Sequence, residues 1–219
     1  MRREQLKTLQ HKLSDQPNLL GREDHINTGV LMLLALINDE YHFLLEERQW
    51  EIRQGGEICF PGGVFDPEQD SDTRDTAIRE TVEELGIQKE QLELIGALGT
   101  LYTSMGAIVD AYVGVCHLQK LNELQINHSE VRSVFTIPVS HFMNAEPEEY
   151  RAIVRVHPSY IDESTGEERI LFPSKKLGLP DRYSRPWGSR SHRILVYKIG
   201  SKTVWGLTAR LIYELIRRM

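Results

Sequence analysis

The segment from Phe60 to Ile87, FPGGVFDPEQDSDTRDTAIRETVEELGI, limits this chain more than any other stretch. Pro61 fixes its own φ, and Gly62 and Gly63 then free the backbone, so a strand is expected to end here in a turn. An acidic loop follows. Ser71 or Asp72 is placed to cap a helix, and Gly86 is placed to close it in the left-handed conformation. The order is strand, loop, helix, loop, with the helix over about Asp72 to Leu85. At about 100° per residue, Ile78, Val82 and Leu85 share one stripe with Thr81 at its edge, and this stripe is expected to face the core. Glu80, Glu83 and Glu84 fall roughly opposite. Carboxylates this close on a helix repel one another. A cluster of hard oxygen donors is also what Mg²⁺ selects. Arg79, on the flank, is suited to hold one carboxylate or to meet a phosphate.

The remainder reads as one α+β domain over residues 1–219. Leu6, Leu9 and Leu13 predict an amphipathic helix over about 3–15 that packs on the domain. The apolar run 29–37, the polar Asn38-Asp39-Glu40 and the run 41–46 predict a buried hairpin. Strands are expected near 57–60, 92–101, 107–116, 131–137 and 192–199. A second hairpin is expected between 151–157 and 168–172, around Ser164-Thr165-Gly166-Glu167. The stretch 173–187 reads as a surface loop, and the last helix spans about 208–218.

A formal net charge of −6 argues against a nucleic-acid polymer as partner, because backbone phosphates favour a basic surface. It leaves small phosphorylated ligands open. MRREQLKTLQHKLSDQ has charge but no apolar run after it, so it does not read as a signal peptide. No stretch nears the roughly 20 apolar residues of a membrane span. Two cysteines, Cys59 and Cys116, read as reduced buried thiols of a cytoplasmic protein. The oligomeric state is left open, homodimer included.

The segment resembles the Nudix box, G-x5-E-x7-R-E-U-x-E-E-x-G-U with U aliphatic. Gly63, Arg79, Glu80, Glu83, Glu84, Gly86 and Ile87 match it. Fifteen residues separate Gly63 from Arg79 where the general box has thirteen, so its first glutamate has no aligned counterpart here; Asp70 or Asp72 is the substitute. Thr81 stands at an aliphatic position. The resemblance implies an αβα sandwich with a mixed sheet, the box forming a loop–helix–loop that binds Mg²⁺ or Mn²⁺ at a pyrophosphate. It implies Glu80 and Glu84 as ligands, Glu83 next, and the Gly62 carbonyl beside them.

Upstream, Leu44-Leu45, Arg48, Arg53, Gly56 and Phe60-Pro61-Gly62-Gly63 are similar to the signature of coenzyme A pyrophosphatases, L-L-T-x-R-[SA]-x3-R-x3-G-x3-F-P-G-G. Glu46 replaces its threonine, Gln49 its serine or alanine, and the gap from Arg53 to Gly56 is one residue short. Thr103-Ser104-x-Gly106, Glu130-Val131, Val134-Phe135, Ile137-Pro138 and Trp205-Gly206-Leu207-Thr208-Ala209 extend the similarity. It implies hydrolysis of coenzyme A or an acyl derivative, with Arg48, Arg53 and Gly63 at the substrate. Glu83, Glu84 and Glu130 stay open as the base. The alternatives are hydrolysis of another nucleoside diphosphate derivative (ADP-ribose, NADH) or of a nucleoside triphosphate, and a non-catalytic nucleotide sensor.

Overall fold

The computed structural model describes residues 3–13, 19–118 and 121–219. Its elements are α1 (Arg3–Lys12), β1 (Ile26–Ile37), β2 (Glu40–Arg48), β3 (Ile58–Cys59), β4 (Gly62–Val64), α2 (Thr73–Leu85), β5 (Leu92–Tyr102), β6 (Ala107–Cys116), β7 (Val131–Pro138), α3 (Val139–Met143), β8 (Glu148–Val156), β9 (Ser159–Ile161), β10 (Glu168–Ile170), β11 (Trp187–Ile199), β12 (Lys202–Trp205) and α4 (Gly206–Ile216).

The hairpin of β1 and β2 forms as its sequence predicts. Asn38 and Asp39 both take positive φ, 51° and 62°, in the two-residue turn that suits the twist of paired strands. The main sheet is mixed. β1 runs parallel to β6, from Ile26 opposite Ala107 to Ala35 opposite Cys116, and the other pairings are antiparallel. β1 then divides its other edge. Thr28–Val30 pairs with β4, whereas Leu34–Ile37 pairs with β2. The chain 58–64 enters this fork, with Cys59 opposite Glu46 on one side and Gly62 opposite Val30 on the other.

Alternation along β1 builds a core on each face. Leu31, Leu33 and Ala35 join Leu44, Ala77, Leu85 and Ile87 on the α2 side. Met32 joins Phe43, Phe60, Phe142, Leu195, Leu211 and Ile212 on the side of α3, α4 and the smaller β12-β11-β8 sheet. Helix, mixed sheet and helix thus stack as an αβα sandwich of the α+β class. The last helix begins at Gly206, two residues before its expected start, and the Thr208 hydroxyl donates to the Ile58 carbonyl at 3.0 Å, tying α4 to β3. No helix among the described residues is long and apolar enough to cross a membrane.

Three expectations are corrected. Leu6, Leu9 and Leu13 are exposed, so α1 does not pack an apolar face on the domain; residues 14 and 15 of the expected helix lie outside the described residues. The second hairpin joins β9 to β10, while 151–157 lies in β8 and pairs with the long β11. The third concerns the wheel of α2. Its buried face is Thr73, Thr76, Ala77, Thr81, Glu84 and Leu85, and Ile78 and Val82 are only half-buried. The reason is a close approach. A Cβ at Gly29 of β1 would overlap the Thr73 carbonyl and come within 2.9 Å of the Ala77 nitrogen. At that separation small residues must face the sheet, so the larger Ile78 and Val82 move to the flank. The threonines satisfy their hydroxyls locally: Thr81 donates to the Ala77 carbonyl at 2.6 Å, and Thr73 to Asp110 at 2.7 Å.

Leu85→Ala should therefore cost about 2 to 5 kcal/mol, and Ile78→Ala clearly less, in equilibrium urea unfolding. The reverse order would mean that the helix is turned as the sequence wheel has it.

Candidate active site

The rotation of α2 carries its acids inward. Glu80 and Glu84 stand one turn apart on the face toward β4. Gly63 leaves the space: a Cβ there would lie 2.7 Å from the Glu80 Cγ and overlap its carboxylate. The Gly62 N–H donates to Glu84 Oε2 at 3.1 Å. Glu84 is only 2% exposed and Glu80 is half-buried.

A third acid arrives through the end of the helix. The last carbonyls of α2 lack partners within it. Gln125 N–H donates to the Leu85 carbonyl at 3.1 Å, and Asn127 N–H to that of Glu84 at 2.9 Å. Gln49 N–H donates to the Glu130 carbonyl at 2.8 Å. These bonds seat 125–130 against both α2 and β2. One carboxylate oxygen from each of Glu80, Glu84 and Glu130 then lies within 4.8 Å of the others.

Burial raises the Glu84 carboxyl far above the usual carboxylate range, and Glu46 adds to the rise. Burial likewise raises Glu80. Glu46 was absent from the sequence candidates, although an acid closing the buried run Phe43-Leu44-Leu45 is itself a signal. The compensating cation is Arg48, with Nη1 3.9 Å from Glu84 Oε1. Three convergent carboxylates without nitrogen or sulfur donors suit a hard divalent cation such as Mg²⁺ or Mn²⁺.

The other predicted residues divide as follows. Arg79 grips Asp70 with two bonds, Nε to Oδ1 at 2.9 Å and Nη2 to Oδ2 at 3.0 Å, and reaches Glu80 at 2.8 Å and Glu83 at 3.2 Å. Asp70 is 6% exposed, also accepts from the Thr76 hydroxyl and the Asp66 N–H, and is held far below the usual carboxylate range, chiefly by Arg79. Asp70 is thus the acid opposite Arg79. Asp72 is the N-cap, accepting from the Arg74 and Asp75 N–H groups. Glu83, expected opposite the core, does face outward: it is exposed, engages Arg79 and stands outside the trio. Glu80 and Glu84 do not face outward, which corrects that part of the wheel. Arg53 is exposed on the loop after β2, and its carbonyl accepts from Arg48 Nε at 3.4 Å.

The model of the NUDIX domain matches residues 27–156. Nudix hydrolase 3 of Caenorhabditis elegans is 34% identical over 205 residues, covering 92% of this chain and 77% of that protein. The mitochondrial coenzyme A diphosphatase NUDT8 of Homo sapiens is 31% identical over 158 residues, covering 72% of this chain and 53% of that protein. The peroxisomal coenzyme A diphosphatase ndx-8 of C. elegans is 34% identical over 134 residues, covering 60% and 56%. The chain belongs to the NUDIX domain family. It is a Nudix hydrolase, of a family that cleaves pyrophosphate bonds in small nucleotide derivatives with divalent metal ions, and it resembles the coenzyme A diphosphatases.

Asp70→Asn removes the buried acid that takes two of the bonds of Arg79 and leaves it only Glu80 and Glu83, and should cost about 2 to 3 kcal/mol in denaturant unfolding. Asp72→Asn, which keeps a capping oxygen, should cost well under about 1 kcal/mol. Equal losses would show that Asp70 is not the residue that anchors Arg79.

Proposed function

We propose that this Nudix hydrolase cleaves the pyrophosphate of coenzyme A or an acyl derivative, giving 3′,5′-ADP and (acyl-)4′-phosphopantetheine. The observation that carries the reading is Arg48, a signature residue of β2 with its guanidinium 3.9 Å from Glu84 at the acidic trio. The coenzyme A diphosphatases among the relatives point the same way. So do the residues around Phe60-Pro61-Gly62-Gly63.

In this reading Glu80, Glu84 and Glu130 would hold Mg²⁺ or Mn²⁺, which when bound would supply charge neutralisation at the pyrophosphate and acidify the attacking water. Arg79, anchored by Asp70, fixes the Glu80 carboxylate. The Gly62 N–H fixes that of Glu84. Glu130, at the trio from the turn before β7, is the base of this reading: the carboxylate oxygen that does not hold the cation would take the proton of the attacking water. Arg48 faces the pyrophosphate, and Arg53, exposed on the adjoining loop, is suited to the 3′-phosphate by fork geometry. The two unpaired cysteines fit a reducing compartment such as the cytoplasm, while the peroxisomal and mitochondrial placements belong to the named relatives.

Product analysis after incubation with Mg²⁺ or Mn²⁺ tests the reading. Coenzyme A should yield 3′,5′-ADP, with kcat/KM above that of 3′-dephospho-coenzyme A by about 10- to 100-fold, the size of one charge-assisted contact. Arg53→Ala should erase the preference while cleavage of the dephosphorylated substrate persists. Glu84→Gln should lower kcat by about 10²-fold or more on both. Cleavage of ADP-ribose or NADH with coenzyme A untouched would overturn the substrate assignment, and nucleotide binding without turnover would favour a sensor.

A further inference from the structure

Glu46 has no part in the chemistry above, yet it is among the most buried side chains of the protein, 1% exposed near the end of β2. Its pairing explains why it is near the site. Glu46 lies opposite Cys59 on β3 and Val134 on β7. Three residues beyond Cys59 is Gly62, whose N–H holds Glu84. The two acids therefore flank one short piece of backbone, 59–62. Glu46 Oε1 accepts from the Cys59 thiol at 3.3 Å. Oε2 is buried and has no partner. Buried polar atoms in folded proteins are almost always paired, and an unpaired carboxylate oxygen is among the costliest to leave so.

The charged groups around Glu46 make the cost larger. Glu84, Glu80 and Glu130 act on it with the same sign, and Arg48 opposes them. Arg48 is also the cation nearest Glu84. Burial raises the Glu46 carboxyl above its ordinary range, and Glu130 and Glu80 add to this. A bond to a thiol alone does not call for a carboxylate, since an amide or hydroxyl accepts it equally well. Glu46 is also where the β2 segment departs from the threonine of the signature.

We propose that Glu46 supports the divalent-cation site from behind Glu84: its buried carboxylate, with Oε2 unpartnered, adds negative charge at the far end of the 59–62 backbone that holds Glu84, so that the site holds the cation more tightly. It acts with Glu84 as a positioning residue, outside the trio whose oxygens already converge. This rests on reading Glu80, Glu84 and Glu130 as the cation site, and it is independent of which pyrophosphate is cleaved.

Mn²⁺ binding to the metal-stripped full-length protein tests this without any substrate. Titration calorimetry or the spin-resonance signal of free Mn²⁺ gives the affinity, and thermal melts give the stability of each metal-free protein. Glu46→Gln should weaken Mn²⁺ binding by about tenfold or more, and the metal-free variant should melt above wild type because a like charge has gone. Glu46→Asp keeps the charge in a worse fit, and should bind Mn²⁺ more tightly than Glu46→Gln. Glu46→Thr gives a second charge-free variant should Gln not be accepted, with the same expected loss. Cys59→Ala should leave the affinity within about twofold. If Glu46→Gln or Glu46→Thr binds Mn²⁺ as wild type does, or Glu46→Asp binds worse than Glu46→Gln, Glu46 is only a buried partner of Cys59 and the proposal is overturned. Coenzyme A left uncleaved by a protein that shows the expected order of affinities removes the substrate reading and leaves this one. Equal affinities with coenzyme A cleaved do the reverse.

Discussion

The contact of α2 with β1 at Gly29 sets the rest of the arrangement. No side chain stands between the helix backbone and the strand there, so the small faces of Thr73 and Ala77 lie directly on the sheet. A helix held at that distance has little freedom to rotate. Its next inward positions are Glu80 and Glu84, and they meet the Gly62-Gly63 backbone that enters the fork between β1 and β2. Glycine is required twice for one purpose. At Gly29 it admits the helix, and at Gly63 it admits the carboxylate that the helix carries.

Turning acids inward is costly, and the surroundings show how the cost is distributed. Asp70 and Arg79 form a closed pair with two good bonds and further donors from Thr76 and Asp66, so a buried aspartate there stays ionised and fixes the loop to the helix. Glu84 and Glu46 lack such closure. Burial disfavours their charge, Arg48 stands 3.9 Å from one of them, and one oxygen of the other has no partner. A cluster left undercompensated in this way is a functional-site arrangement more than a stabilising one. The same contrast separates Glu83, which stays in solvent on Arg79, from its neighbour Glu84.

The order of glycines, acids and caps in 60–87 made the loop–helix–loop readable from sequence, as the continuous apolar runs on either side of the polar Asn38-Asp39-Glu40 did for the β1–β2 hairpin. The facing of α2 was not readable. A hydrophobic wheel ranks positions by apolar size, so it chose Ile78 and Val82, whereas the glycine on a strand 44 residues before Thr73 selected the small side chains. Tertiary approach overrode pattern. Glu130 was found through its place beside Val131 in the family signature, yet its arrival at the trio depends on Gln125 and Asn127 capping the α2 carbonyls. Asp70 and Asp72 were equivalent by spacing. Their roles separate only in three dimensions, one in the grip of Arg79 and the other on the helix amides. The second hairpin failed for a related reason: a strand-like run at 151–157 does not name its partner, and β11 is long enough to take it.

In the proposed reading the inward face of α2 and the turn before β7 together make one divalent-cation site. Crystals grown with Mn²⁺, measured on both sides of the manganese absorption edge, test it most directly. An anomalous peak is expected within coordination distance of carboxylate oxygens of Glu80, Glu84 and Glu130. A peak held by Glu83 on the solvent face of the helix, or saturating Mn²⁺ with no peak at the trio, would contradict it.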